Sequence, residues 1–491
     1  MVTLLLDREE YKNDGAEIIR AYLGRAEISF GGDWDGAPGC AFRAEFLEGA
    51  SPYVRALGRM EKGGPVAAYT RRIEPAPSAL LKKRQEKRAL KIALFRVLRA
   101  LLPETVLPWG SLTGIRPTKL FRELASELGE AEALRVFERD FDVQPQKASL
   151  AMEIVRVQEP ILNGAMPREL DLYIGIPFCR TRCLYCSFAS EVVGERGVPE
   201  EYLAALYREI ADGARIAAEG GWRVRCTYVG GGTPTVLTAE QLKKLLAHAE
   251  SCYGGLGREL TVEAGRPDTV DAEKFRALID AGVGRISLNP QSMNADTLSR
   301  IGRSHTPEDI LRAYGEAREA GFSNINMDVI AGLPGETEED MRRTLASVVR
   351  LAPENLTVHT LAVKRSSRLR ERIDAYPLAS AAEAERMVAL GAQTASALGM
   401  RPYYMYRQKY MRGNLENVGY ALPGKDCVYN VDMMEEAVTI LAHGAGAMTK
   451  RVYPGRDQRV ERLPAPKDIA AYVAKLPLLE QEKRRLLFAE E

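Results

Sequence analysis

The chain has 491 residues, 46% of them hydrophobic and 27% charged. That is too long for one ordinary core, and the composition excludes a disordered or fibrous protein. A formal net charge of +1 gives no overall attraction to nucleic acid or to anionic membranes. The start, Met1-Val-Thr-Leu-Leu-Leu-Asp7, has no basic region and too short an apolar run for a signal peptide. No stretch approaches the roughly 20 apolar residues that cross a bilayer. The expectation is therefore a cytoplasmic protein with no membrane span and no nucleic-acid partner.

In chain order, residues 1–165 read as a mixed α/β domain. A strand is predicted over 2–6 and a helix over 11–23, with short strands such as 41–46 and 66–70 between Gly/Pro turns. A long helix is predicted over 78–102. It carries Lys82, Lys83, Arg84, Lys87, Arg88, Lys91, Arg96 and Arg99, as a solvated face or as a site for an anionic ligand or partner. A turn-rich stretch, 108–119, leads to further helices ending near Leu162.

From Asp171 the rhythm changes. Strands are predicted over 171–176, 225–229, 259–263, 285–289, 324–331 and 355–362. Helices are predicted between them over 200–218, 239–252, 272–281, 307–320 and 336–351. Strand–helix alternation of this kind predicts a parallel sheet with helices outside it, closed or partly closed into a barrel over 166–380. Such a barrel places its site at the C-terminal ends of the strands. Past residue 380 a helix over 381–398 precedes the tyrosine-rich Pro402-Tyr-Tyr-Met-Tyr-Arg-Gln-Lys409 and the amide-rich Gly413-Asn-Leu-Glu-Asn-Val-Gly-Tyr420. Residues 381–491 are expected to form a C-terminal substrate or lid domain, in which these stretches serve as a lid or substrate-facing surface or equally as ordinary packed loops.

Seven cysteines, scattered except for one tight group, make a poor disulfide framework. The group follows the first barrel strand: Cys179-Arg-Thr-Arg-Cys183-Leu-Tyr-Cys186, spaced C-x3-C-x2-C. A short loop with three thiolates can grip three corners of a cubane iron–sulfur cluster and leave the fourth iron open to chelate a small molecule. A zinc site is the alternative. It needs a fourth ligand such as Cys226 or His305, and it favours paired C-x2-C units.

This spacing, with an aromatic residue (Tyr185) before the last cysteine, resembles the radical S-adenosylmethionine (SAM) signature. Gly230-Gly-Gly-Thr-Pro-Thr235, after the second strand, resembles that superfamily's glycine-rich SAM motif. Tyr173-Ile-Gly-Ile-Pro-Phe-Cys179, Asn289-Pro-Gln291 and Gly332-Leu-Pro-Gly335 are similar to the oxygen-independent coproporphyrinogen III oxidases. Trp109-Gly-Ser-Leu-Thr-Gly-Ile-Arg-Pro-Thr118 and the stretch from Tyr406 to Tyr420 are similar to their HemZ-type branch. The resemblance implies a partial (β/α)6 parallel barrel with an N-terminal α/β domain and a C-terminal α+β extension. It implies a [4Fe–4S] cluster on Cys179, Cys183 and Cys186, and one or two SAM molecules. The SAM contacts it implies are Tyr173, Tyr185, Gly231, Gly232, Thr233, Glu263, Gln291, Arg303, Asp328 and Ala362, with Arg303 binding a carboxylate. His305 and His359 are possible site residues, with a structural role the preferred reading of each. Two departures stand out: the best-known members have a histidine at the position of Gly175 and a fourth cysteine at that of Phe188.

The activity implied is oxidative decarboxylation of two propionates of coproporphyrinogen III to vinyl groups, giving protoporphyrinogen IX. A SAM-derived 5′-deoxyadenosyl radical would take hydrogen from each propionate β-carbon. Arg365, Arg407 and Lys409 are candidates to grip propionates, since guanidinium geometry suits carboxylates. The implied partners are a tetrapyrrole and an electron donor such as flavodoxin or ferredoxin. A sister branch that also lacks the fourth cysteine acts in haem trafficking, so haem binding is one alternative. Radical chemistry on another tetrapyrrole is a second.

Overall fold

In a computed structural model of the chain, residues 1–489 are described except positions 25, 195, 196, 410, 454 and 456–458. Tyr410, within the tyrosine-rich stretch, thus lies outside the described residues. Contacts divide the chain into two units, Met1–Met152 and Glu153–Glu491.

The first unit is built on a five-stranded sheet of order β2-β1-β3-β4-β5. Its strands are β1 (Val2–Leu6), β2 (Ile28–Phe30), β3 (Ala41–Leu47), β4 (Tyr53–Arg59) and β5 (Ala67–Arg72). β1 lies parallel to β2 and β3, and β3, β4 and β5 run antiparallel. Alternation puts Phe42, Ala44, Val54 and Ala56 on one face. There they pack with Ile18 and Ile19 of helix Lys12–Leu23 and with Leu90, Leu94 and Val97 of helix Ala79–Leu101. The long helix starts where Ser78 caps it, its hydroxyl accepting from the Leu81 N–H at 3.3 Å.

The second unit holds the expected barrel. β6 (Glu169–Ile176), β9 (Arg223–Gly231), β10 (Leu260–Glu263), β11 (Arg285–Ser287), β12 (Ile325–Ala331) and β13 (Asn355–Thr360) pair in that order, all parallel. A two-residue pair, β7 (Phe178–Cys179) and β8 (Glu191–Val192), follows β6. The near-continuous burial of these strands is that of a parallel sheet covered on both faces. The crossover helices are Glu200–Glu219, Ala239–Tyr253, Ala272–Asp280, Pro307–Glu319 and Glu338–Leu351. Several begin at capping residues visible in the sequence, among them Thr238, Thr306 and Thr337, each with a reciprocal capping box.

Residues after 380 enter this same sheet at both edges. Following helix Ala381–Ala397, β14 (Arg401–Tyr406) and β15 (Asn417–Ala421) form an antiparallel pair, and β15 runs antiparallel to β13. The tyrosine-rich segment is thus strand over 402–406 and the amide-rich one over 417–420, and the described chain between them is not strand. At the other edge β16 (Thr439–His443) lies parallel to β6 and continues into β17 (Met448–Val452) and β18 (Val460–Pro464). The result is the partial parallel barrel with an α+β extension on an eleven-stranded sheet. Among the described residues no helix is long and apolar enough to cross a membrane.

Candidate active site

The cysteine loop is tied down from several sides. The Leu184 N–H donates to the Ile301 carbonyl and the Leu369 N–H to the Leu184 carbonyl, both at 2.9 Å. The Thr181 hydroxyl donates to the Gly302 carbonyl at 2.7 Å, and Arg266 donates to the Thr181 hydroxyl at 2.8 Å. Arg266 is itself held by Asp268. The backbone of the loop is thus fixed while Cys179, Cys183 and Cys186 stay free and half-buried. Burial, with the neighbouring thiols Cys183 and Cys179, pushes the Cys186 thiol up; a positive metal centre reverses that bias.

Their spacing tests what they can hold. One tetrahedral ion with thiolate bonds of about 2.3 Å draws its ligands within about 4 Å of one another. The three sulfur atoms do not all lie within 4.8 Å of one another. Among the described residues the group that meets that distance is Asp171, Cys226 and Asp432, buried inside the barrel. Cys226 is occupied there by Asp171, its thiol donating at 2.8 Å, and His305 sits beside Asp268 at 3.6 Å. A thiol set not drawn within 4.8 Å fits a multi-iron cluster better than a single zinc ion.

The glycine turn closes against the same loop. The Gly232 N–H donates to the Ile176 carbonyl at 2.8 Å and the Thr233 N–H to the Phe178 carbonyl at 2.7 Å. A Cβ on Gly232 would lie 2.3 Å from the Phe178 oxygen, so only glycine allows this approach. Thr233 brings its hydroxyl to 3.6 Å from the Cys179 sulfur.

Around this lie the polar strand ends. Glu263 closes β10 and accepts from the Tyr228 hydroxyl at 2.7 Å. Burial is the main reason its carboxyl is pushed up to about 7. Asp328, in β12, lies 3.4 Å from His359 and accepts from the Asn326 amide at 2.7 Å. Burial alone would raise Asp328, but His359 and these hydrogen bonds hold it below the usual carboxylate value. Arg303 is buried and donates to the Asn289 carbonyl at 2.6 Å and to the Tyr185 hydroxyl at 3.4 Å. Burial alone would lower Arg303; Tyr185 and Cys183 outweigh it. Gln291 sits just past β11 at φ 66°, bridged to Val329 of β12.

Within this group the buried Gln291 Oε1, Asn289 Oδ1 and Arg303 Nε have no hydrogen-bond partner. Buried polar atoms left unpaired at one end of a parallel barrel are what a polar ligand would satisfy. Tyr173, half-buried in β6, stacks on Tyr228 and Tyr429 with ring centroids 6.4 and 6.2 Å away. Ala362, just past β13, bridges to Met411. Of the expected residues, Thr233 and Arg303 thus reach the cysteine loop, at Cys179 and Tyr185, and Glu263 lies against Gly230 of the glycine turn.

The sequence places Asn289 and Tyr406 only within motifs and gives neither a role of its own, and it does not single out Tyr228. Tyr228 carried a signal: it stands two residues before Gly230, on the same face of the strand. His359, read as structural, faces Asp328 on one side and the Tyr406 hydroxyl at 3.4 Å on the other. Of the candidate substrate cations, Arg365 and Lys409 are exposed. Arg407 is buried and donates to the Asn414 carbonyl at 2.9 Å and the Leu415 carbonyl at 3.4 Å.

A barrel of this topology with three thiols and a glycine turn at its mouth defines a radical SAM protein, whose cofactors are a [4Fe–4S] cluster and SAM. Residues 173–348 match the radical SAM superfamily model. The chain belongs to the family of the oxygen-independent coproporphyrinogen-III oxidase-like protein HemZ. To that protein from Bacillus subtilis it is 35% identical over 477 residues, covering 96% of this chain and 94% of that one. It is also 38% identical over 194 residues to the heme chaperone HemW of the same organism, covering 39% of this chain and 50% of that one. In fold it is similar to coproporphyrinogen III oxidase (HemN) from Escherichia coli. There the TM-score is 0.52 at 23% identity, over 66% of this chain and 73% of that one.

Proposed function

We propose that this haem-related radical SAM protein is an oxygen-independent coproporphyrinogen III oxidase, converting two propionates to vinyl groups in the cytoplasm. The observation that carries this reading is the set of unpaired buried polar atoms, Gln291 Oε1, Asn289 Oδ1 and Arg303 Nε, linked to the cysteine loop through Arg303 and Tyr185. The near full-length likeness to a coproporphyrinogen-III oxidase-like relative points to the tetrapyrrole. Bound there, the cluster and SAM supply hydrogen-atom abstraction, and the protein contributes orientation and exclusion of water.

In this reading Cys179, Cys183 and Cys186 hold the cluster. Gly231, Gly232 and Thr233 present backbone to the methionine part of SAM. Glu263, Asp328, Gln291 and Ala362 would contact SAM, and Arg303 would bind its carboxylate. Tyr173 and Tyr185 wall the site. Arg365 and Lys409, both exposed, meet substrate propionates, and Arg407 orders the 407–415 segment that carries Lys409. An external one-electron donor of the flavodoxin or ferredoxin kind reduces the cluster.

The test is anaerobic incubation of reconstituted, reduced protein with SAM and coproporphyrinogen III, following 5′-deoxyadenosine and tetrapyrrole products. Protoporphyrinogen formed in step with SAM cleavage is expected; SAM cleavage with the propionates intact defeats the oxidase reading. A second reading, haem binding and delivery, is favoured by Phe188, an exposed apolar side chain two residues past Cys186. It requires tight one-to-one haem binding with no CO2 release.

A further inference from the structure

The first unit has a cavity of about 230 Å³ between helix Ala79–Leu101 and the segment 111–114. Four cations of the helix line it. Arg84, Lys87, Arg88 and Lys91 are spaced i, i+3, i+4 and i+7, hence on a single face. Lys87 and Lys91 are neutralised locally: Lys87 lies 3.0 Å from Asp14, and Lys91 lies 3.1 Å from Asp14 and 3.0 Å from Glu17. Among the described residues, no carboxylate comes within ion-pair distance of Arg84 or Arg88. Arg88 has one long contact, 3.5 Å, to the Gln85 amide oxygen, and its guanidinium lies over the Phe141 ring at 5.3 Å from the centroid. Its guanidinium is also pushed below its ordinary value, burial being the main cause and Arg84 adding to it.

The opposite wall is a built loop. Trp109 is fully buried, and Gly110, at φ 51°, sits so close to the next segment that a Cβ would lie 2.0 Å from the Phe141 oxygen. The Ser111 N–H and hydroxyl both donate to that Phe141 oxygen, at 2.8 and 3.1 Å. This pins the turn so that the Thr113 hydroxyl meets the Lys91 ammonium at 2.8 Å, while the space beside Gly114 is open. The barrel chemistry uses none of these groups.

We infer that this pocket is a binding site for a small molecule carrying two closely spaced oxyanions, a diphosphate or a di- or tricarboxylate, gripped by Arg84 and Arg88 against Phe141. Two arginine forks without carboxylate partners, converging on a cavity of this size, recognise planar or tetrahedral oxyanions bidentately. Asp14 and Glu17 are taken up by Lys87 and Lys91, and Glu123 and Glu127 act on Arg88 only beyond ion-pair distance, so the two guanidinium groups are left to meet an anion. The inference does not depend on the reaction carried out in the barrel.

Calorimetric titration of the full chain in low-chloride buffer, with pyrophosphate and separately with tricarballylate as probes, tests it. One saturable site per chain is expected. Arg88→Gln and Arg84→Gln should each weaken it at least about tenfold, with partial rescue by Arg88→Lys. Arg135→Gln, an exposed arginine paired with Glu132, should change nothing. Tighter pyrophosphate identifies a phosphate source, and tighter tricarballylate a carboxylate source. No saturable binding of either probe overturns the site. So does wild-type affinity in the doubly substituted chain, or, if that chain unfolds, wild-type affinity in both single variants.

Discussion

Gln291 donates its backbone N–H to the carbonyl of Asp328 at 2.9 Å while accepting from the Ile330 N–H at 3.0 Å. The chain beyond β11 therefore stays paired to β12, although Gln291 adopts a left-handed φ of 66° that a non-glycine residue rarely takes. A strained residue held by its neighbours, with its own side-chain oxygen buried and unpaired, is the pattern expected of a ligand contact.

Backbone and side chain can be separated at this position. Gln291→Gly relieves the φ cost and removes the orphaned oxygen, so its melting temperature should equal or exceed wild type. Its SAM affinity, measured by equilibrium dialysis on cluster-loaded protein, should fall roughly tenfold. Gln291→Val, β-branched at positive φ, should cost about 1–3 kcal/mol in denaturant unfolding. A stable Gln291→Gly with unchanged SAM affinity removes Gln291 from the site.

Glu263 gives a pH prediction. Its carboxyl is raised from 4.5 to about 7 by burial, so the folded protein holds a proton that the unfolded chain has already released. Its contribution to stability is complete below pH 4 and is lost as pH rises through 7, by an amount on the order of 3 kcal/mol. Glu263→Gln keeps an acceptor for Tyr228 and carries no charge. Its melting temperature should therefore gain on wild type at pH 8 and match it at pH 4. In wild type, affinity for the cationic SAM should rise through pH 7, and Glu263→Gln should flatten that rise.

The thiols separate by position. Cys179→Ala, Cys183→Ala and Cys186→Ala should each yield protein that retains little iron and sulfide after reconstitution. Cys226 and Cys427 lie buried among the barrel tyrosines, so Cys226→Ala and Cys427→Ala should keep wild-type iron content. Stoichiometric iron in Cys183→Ala would refute the three-thiol grip.

Much of the fold is legible in the sequence. The alternation of helical and strand periods from Asp171 onward finds every barrel strand to within a few residues, because strands buried on both faces read as apolar runs. The thiol spacing and glycine turn are local in sequence, so they too are readable. What was not legible depends on non-local pairing. β16 lies parallel to β6 across more than 260 residues, and a short buried strand such as Thr439–His443 carries no period that says which edge it joins. Likewise, nothing local marks Arg407 as buried. Its partners, the carbonyls of Asn414 and Leu415, are set by the return of the chain into β15.

Gly232 offers the sharpest geometric test. A Cβ there would lie 2.3 Å from the Phe178 oxygen and 2.8 Å from that residue's N and C atoms, all of them backbone, so no side chain can rotate away to make room. Gly232→Ala must push the glycine turn off the strand that delivers Cys179, breaking the Gly232–Ile176 or Thr233–Phe178 hydrogen bond. A stability loss of about 1–3 kcal/mol is expected from overpacking, together with reduced iron retention because Cys179 loses its fixed position. Gly315→Ala is the control. That glycine lies inside helix Pro307–Glu319 with nothing within 4 Å of a new Cβ, so the change should stabilise by about 0.5–1 kcal/mol and leave iron content unaltered. Equal iron retention in the two variants would mean that the turn does not position the cluster loop.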